Sequence, residues 1–140
     1  MRFRVCHLLW LALLALLLGC GQDSKLGRVH GVVRLDGEPV NTGTVRFVPE
    51  AGRAAEGVIE SDGTYTLGTY GNSDGALIGP HKVAIVAYES SGNDRPAYAM
   101  RGQVSKPLVP QRYMSIGTSR LTFDVKAGDN QADFDLTTKP

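Results

Sequence analysis

Past residue 28 this sequence predicts an all-β fold, a single seven-stranded antiparallel β-sandwich. Three observations predict it. Apolar and polar residues alternate in short runs, the period of a half-buried strand. Turns rich in Gly, Asp and Pro separate the runs at short intervals. No stretch sustains apolar residues three and four apart, as an amphipathic helix requires.

The stretch Val29–Pro49, VHGVVRLDGEPVNTGTVRFVP, sets the pattern. Val29, Gly31, Val33 and Leu35 point one way, and His30, Val32 and Arg34 the other, so strand one runs over 28–35. Asp36-Gly37-Glu38-Pro39 turns the chain, with Gly supplying a positive φ and Pro a fixed one. Strand two covers 44–48, with Val45 and Phe47 on one face. A modest third strand over 54–60 and a fourth over 64–67, joined by Ser61-Asp62-Gly63, form a hairpin. The polar run 71–80 reads as a loop. Strand five, 82–88, places Val83, Ile85 and Ala87 on one face. A long insertion, 89–119, has no sustained period and holds three of the seven prolines. Leu121, Phe123 and Val125 mark strand six, 127–131 turns, and Ala132, Phe134 and Leu136 mark strand seven. Phe47, Tyr65, Val83, Ile85, Phe123 and Phe134 are expected to point inward.

The first residues have another character. Met1-Arg2-Phe3-Arg4 is basic, and Leu8–Leu18 is an apolar run too short to span a bilayer as a helix. Leu17-Leu18-Gly19-Cys20 follows, a small residue before a Cys with Leu three positions ahead of it. This resembles the bacterial lipobox. The resemblance implies a signal peptide over 1–19, cleaved before Cys20, and lipidation of the Cys20 thiol by a diacylglycerol. Residues 20–27 then form a polar tether, and 28–138 the sandwich. Residue 21 is Gly rather than Asp, which by resemblance to proteobacterial sorting rules favours the outer over the inner membrane of the cell envelope.

That reading bounds the chemistry. Cys6 would leave with the signal and Cys20 would be acylated, so neither disulfide nor thiolate ligand is expected. The remaining 121 of 140 residues suffice for one domain, able to bury about two thirds of its unfolded surface. Without Arg2 and Arg4, 13 Lys and Arg face 14 Asp and Glu. Such balance gives no case for nucleic acid.

The remaining motifs speak against catalysis and cofactors. His30 and His81 both fall on strands and would meet only across the sandwich. Two histidines without a Cys fall short of a zinc site. Asn72-Ser73-Asp74-Gly75 resembles part of an EF-hand loop, but in that register Tyr70 and His81 stand where carboxylates are needed. The Asp-Gly pairs at 36, 62 and 74 fit turns better. No nucleophile elbow, Walker loop, dinucleotide fingerprint or H-E-x-x-H is present. No catalytic, metal or cofactor residue is expected.

Several segments together resemble a known family. Gly31-Val32-Val33, Asp36-Gly37-Glu38-Pro39-Val40 and Gly43-Thr44-Val45 look like the opening of carboxypeptidase-regulatory-like domains. Ser61-Asp62-Gly63-Thr64-Tyr65-Thr66-Leu67 is similar to their central hairpin. Gly79-Pro80-His81-Lys82-Val83-Ala84-Ile85 is similar to a later strand, with His81 in an aromatic's place. Ala127-Gly128-Asp129-Asn130 and Phe134-Asp135-Leu136 resemble the closing hairpin. The resemblance implies a transthyretin-like seven-stranded sandwich, related in architecture to immunoglobulin-like ones, and small stand-alone bacterial lipoproteins are among its members. The hydroxyisourate hydrolases of that wider fold end in Tyr-Arg-Gly-Ser, whereas this chain ends in Thr-Thr-Lys-Pro.

The insertion carries the one segregated charge. Arg95, Arg101, Lys106, Arg112 and Arg120 are basic, Tyr98 and Tyr113 lie among them, and no acid falls between Arg95 and Phe123. Arg95, Tyr98, Arg101, Lys106, Arg112 and Tyr113 form a candidate binding loop for an envelope protein or an anionic glycan. The alternative is a loop folded over the sandwich with its arginines paired to Asp124, Asp133 or Asp135. The expected function is thus a membrane-anchored, non-catalytic binding or structural module. The rival readings are an accessory subunit of an envelope hydrolase and a carbohydrate-binding module.

Overall fold

The computed structural model describes residues 25–89 and 105–140, an all-β arrangement of two facing sheets. The expected signal peptide, Cys20, and Arg95, Tyr98 and Arg101 of the candidate loop lie outside the described residues. The described residues form ten strands: β1 Leu26–Leu35, β2 Glu38–Pro39, β3 Thr44–Pro49, β4 Ala55–Val58, β5 Thr64–Thr66, β6 Ala76–Leu77, β7 Gly79–Val86, β8 Leu121–Val125, β9 Asp129–Gln131 and β10 Phe134–Leu136. One four-residue 3-10 turn, Gln111–Met114, stands among them.

The long strand β1 is the spine of the first sheet. Its start pairs with β6, its middle with β5 and its end with β2, all antiparallel. Its alternation is the one read from the sequence, with Val29, Gly31 and Val33 buried and His30, Val32 and Arg34 half-buried. Asp36 and Gly37 both have positive φ, 51° and 93°. That is the two-residue turn geometry whose twist matches a hairpin and which favours Asp-Gly. The second sheet runs in the order β4-β3-β7-β8, antiparallel throughout.

Four expectations need correction. Among the described residues there are ten strands rather than seven: β2, β6 and β9 fall in segments read as turn or loop, because β2 and β9 hold no alternating apolar residue and β6 is two residues at the end of a polar run. The sandwich is not wholly antiparallel, since β9 and β10 run parallel to β1. The connectivity requires this. β8 ends beside Gly79, where β7 starts, and the 126–128 turn crosses to the first sheet at that same end of the molecule. The return must therefore run alongside β1. The segments 54–60 and 64–67 do not form an ordinary hairpin either. β4 joins the second sheet and β5 the first, and the two segments are linked by a bridge between Glu56 and Gly68 and by a turn bond from Glu60 N–H to Thr64 O at 2.8 Å. Finally, Leu26 and Gly27 belong to β1, paired with Leu77 and Ala76, and not to the tether.

Between the sheets lies the core. Val29, Val33, Val45, Phe47, Leu67, Val83, Ile85 and Val125 are fully buried. Phe47 ties the layers together: its ring centroid is 6.0 Å from that of Phe134 in the first sheet and 5.8 Å from Phe123 and His81 in its own. Tyr65 stacks on Phe134 at 6.5 Å. Five of the six side chains expected to point inward are buried; Phe123 is half-buried, being on the edge strand β8.

Gly31 shows why one apolar-face position carries no side chain. A Cβ there would lie 1.9 Å from the Ala132 carbonyl oxygen. That oxygen accepts a 2.5 Å hydrogen bond from the Tyr65 hydroxyl, while the Ala132 N–H donates to His30 O. Burial, aided by the nearby Asp133 carboxylate, pushes the Tyr65 pKa up.

Candidate functional site

The two ends of the sandwich differ. β1 begins at the Lys25 end, where β3, β6 and β8 finish and β7 starts. At the far end, β1 turns into β2 and β7 runs out into the 89–119 insertion. This far end holds the described part of the candidate binding loop.

The insertion has a built base. Glu89 N–H donates to Lys106 O and Leu108 N–H to Ala87 O, each at 2.9 Å, around a bridge between Tyr88 and Pro107. The two limbs therefore pair as a short antiparallel ladder. Lys106 Nζ lies 3.2 Å from Glu89 Oε1, both side chains being largely exposed. An exposed pair of this kind contributes little to stability, roughly 0–1 kcal/mol, and leaves the ammonium open to exchange partners. Beside it Asn41, Thr42, Glu89 and Leu108 line an open cleft of about 490 Å³.

Beyond the base, the chain returns to the core. Val109 and Tyr113 are buried. The 3-10 turn follows Pro110, whose carbonyl accepts from Tyr113 N–H at 3.0 Å. Arg112 places its guanidinium 4.7 Å above the Tyr113 ring and donates to the carbonyls of Thr137 and, at 2.7 Å, Lys139. Thr137 N–H donates to the Tyr113 hydroxyl at 3.3 Å. Thr118 Oγ1 donates to Arg112 O at 2.8 Å, and Ser119 Oγ to Val83 O. Arg112 and Tyr113 thus fasten the last residues to the sandwich. Asp36 holds the same segment from its other side, accepting from Thr138 Oγ1 at 2.6 Å and Thr138 N–H at 3.1 Å. These bonds keep the Asp36 carboxyl below the usual range.

Among the described residues, the acids weighed as partners for the loop arginines engage other groups. Asp124 pairs with Lys126, Asp133 accepts from Val32 N–H and Gln131 Nε2, and Asp135 lies 3.5 Å from Arg34. Arg112 uses main-chain carbonyls instead, a partnership that residue types could not have indicated.

The other candidates resolve into turns and packing. Asp74 accepts from the N–H groups of Thr69, Tyr70 and Gly71 at 2.6, 3.0 and 2.9 Å. Burial raises its pKa, but the three donors outweigh that and hold it below the usual carboxylate range. Asp62 caps its own turn by accepting from Thr64 N–H and Oγ1. His30 and His81 do not meet. His30 faces outward, 3.4 Å from Asp129, whereas His81 is buried against Phe47. His81 Nδ1 donates to Gly79 O at 2.9 Å, and Nε2 is buried with no partner. A second cleft, of about 400 Å³ between β4 and β5, carries Glu56 and Glu60. Among the described residues no group of three or more His, Cys, Asp or Glu is placed to hold a metal ion. No protein-family model, no curated protein and no solved structure matches the chain.

Proposed function

We propose that the chain is a small bacterial envelope lipoprotein, acylated at Cys20, whose transthyretin-like sandwich is a non-catalytic binding or structural module. One observation carries the reading: Lys25, five residues after Cys20 in the sequence, lies at one end of the sandwich, and the insertion leaves from the other. β1 alone has ten residues, about 33 Å at roughly 3.3 Å per residue. A lipid at Cys20 would hold the Lys25 end near a membrane and present the insertion base that distance away. The far end then offers Lys106, the described start of the return limb of the basic insertion, to an envelope protein or anionic glycan.

Two measurements test this. Cys20→Ser should leave unprocessed precursor or a protein released from membranes; a mature mutant that fractionates with membranes as wild type does would overturn the anchor. For binding, Arg95, Arg101 and Lys106 are changed together to Ser, with Arg112 retained because it holds the C-terminal segment. Retention of the wild type on envelope extracts should weaken as salt rises, since exposed charges are screened beyond about 10 Å at 0.1 M. The triple variant should bind weakly at every salt concentration. Equal retention of the two proteins would remove the binding reading.

A further inference from the structure

The Lys25 end has a chemistry of its own. Ile78 N–H donates to Lys25 O at 2.9 Å, so the β6–β7 link lies against the first described residue. The 50–53 loop closes over the same place: a Cβ at Gly52 would lie 2.6 Å from Leu77 Cδ1. Arg53 sets its guanidinium 5.7 Å above the Tyr70 ring. Lys25, Pro49, Ala51, Leu77, Ile78 and Pro80 line a groove of about 420 Å³, with Glu50 as the opposing charge on its rim. Tyr70 and Ile78 are 67% and 45% exposed, two of the four large hydrophobic side chains so exposed among the described residues.

Scattered exposed hydrophobics are ordinary on protein surfaces. Their position decides the matter here. Cys20 precedes Lys25 by five residues, and a trans peptide chain advances at most about 3.6 Å per residue, so the link spans no more than roughly 18 Å. A domain tethered that closely has this end within reach of lipid headgroups. A tyrosine ring with a basic partner suits the interfacial layer, and a lysine stem can lie along apolar surface with its ammonium in water. The Asp74 carboxylate nearby keeps its charge, turned toward three backbone donors, and with Glu50 it offsets the two cations, so apolar contact and the short tether carry most of the docking.

We infer that the Lys25 end docks on the bilayer surface, with Ile78 and Tyr70 at the headgroup–acyl boundary and Arg53 and Lys25 against lipid phosphates. The inference rests on acylation at Cys20 and adds a defined orientation to it: the acylated protein stands on this end rather than swinging on its tether.

The experiment uses the full acylated chain in vesicles of phosphatidylethanolamine and phosphatidylglycerol. With Cys6 cleaved off and Cys20 acylated, Ile78→Cys supplies a single free thiol for an environment-sensitive fluorophore. Glu38→Cys, on β2 at the far end, is the control. The label at 78 should be blue-shifted and quenched by brominated lipid severalfold more strongly than the label at 38. Adding Arg53→Ser and Tyr70→Ser should move the 78 label toward the control value. Vesicle-bound protein with equally weak quenching at both positions would overturn the docking inference alone. Failure of both labelled proteins to float with vesicles would instead overturn the acylation, and the docking with it.

Discussion

His81 is where residue identity and environment disagree most. The ring is buried among apolar neighbours, yet its Nε2 has no partner. A buried unsatisfied acceptor costs about 1–3 kcal/mol, whereas an ordinary hydrogen bond contributes about 1. His81→Phe keeps the aromatic contact with Phe47, removes the orphan nitrogen, and frees the carbonyl of half-buried Gly79 to find water. The substitution should therefore be neutral or raise stability by about 1 kcal/mol, while His81→Ala should lower it by leaving a cavity. Denaturant midpoints of the two variants check this, and a His81→Phe midpoint well below wild type would assign the imidazole a role that Phe cannot fill. The sequence placed His81 in a strand, at a position the resemblance gives to an aromatic. What it could not show was the partnerless nitrogen, which depends on side chains from other strands.

Legibility at the level of elements followed the apolar–polar pattern rather than length: β5 and β10 have only three residues each, yet Tyr65, Phe134 and Leu136 mark them. All seven strands expected from alternation occur, within a few residues at each end. The three that were missed show no apolar alternation: β2 is Glu-Pro, β9 is Asp-Asn-Gln and β6 is two residues ending a polar run, and each is set in place by pairing with β1. The Asp-Gly turns were legible because their chemistry is local. Asp74 is the most telling of them, since it organises the whole 69–74 loop. Its folded pKa is depressed, so its contribution is fully present above the unfolded value of about 3.9 and is lost as pH falls through the lower folded value. Amide exchange measured below pH 4 should show Thr69, Tyr70 and Gly71 losing protection while Val83 and Ile85 in the core keep theirs. Asp74→Asn, which offers one acceptor oxygen in place of two, should show the same loss at neutral pH. Protection of the three amides unchanged in both cases would mean that the carboxylate does not hold the loop.

In the molecule as a whole, the described residues contain no cysteine and no metal cluster, so packing between the two sheets has to hold the fold. The aromatic group around Phe47 crosses that interface. Sequence alternation identified most of its members, but not their mutual contacts, nor the parallel return of β9 and β10 that brings Phe134 opposite Phe47. If one shared core carries stability, Phe47→Ala should cost about 3–5 kcal/mol, the usual range for removing a buried Phe. For a domain of this size that corresponds to a fall in melting temperature of at least about 12 °C. The loss must also be global. Hydrogen exchange in the variant should speed up together at Val33 in the first sheet and at Ile85 in the second, in one cooperative transition, because each sheet presents its apolar face to the other. An exchange profile in which the β1 sheet keeps full protection while β3 and β7 lose theirs would show two separately stable layers, and would refute the single core on which the separation of the two ends depends.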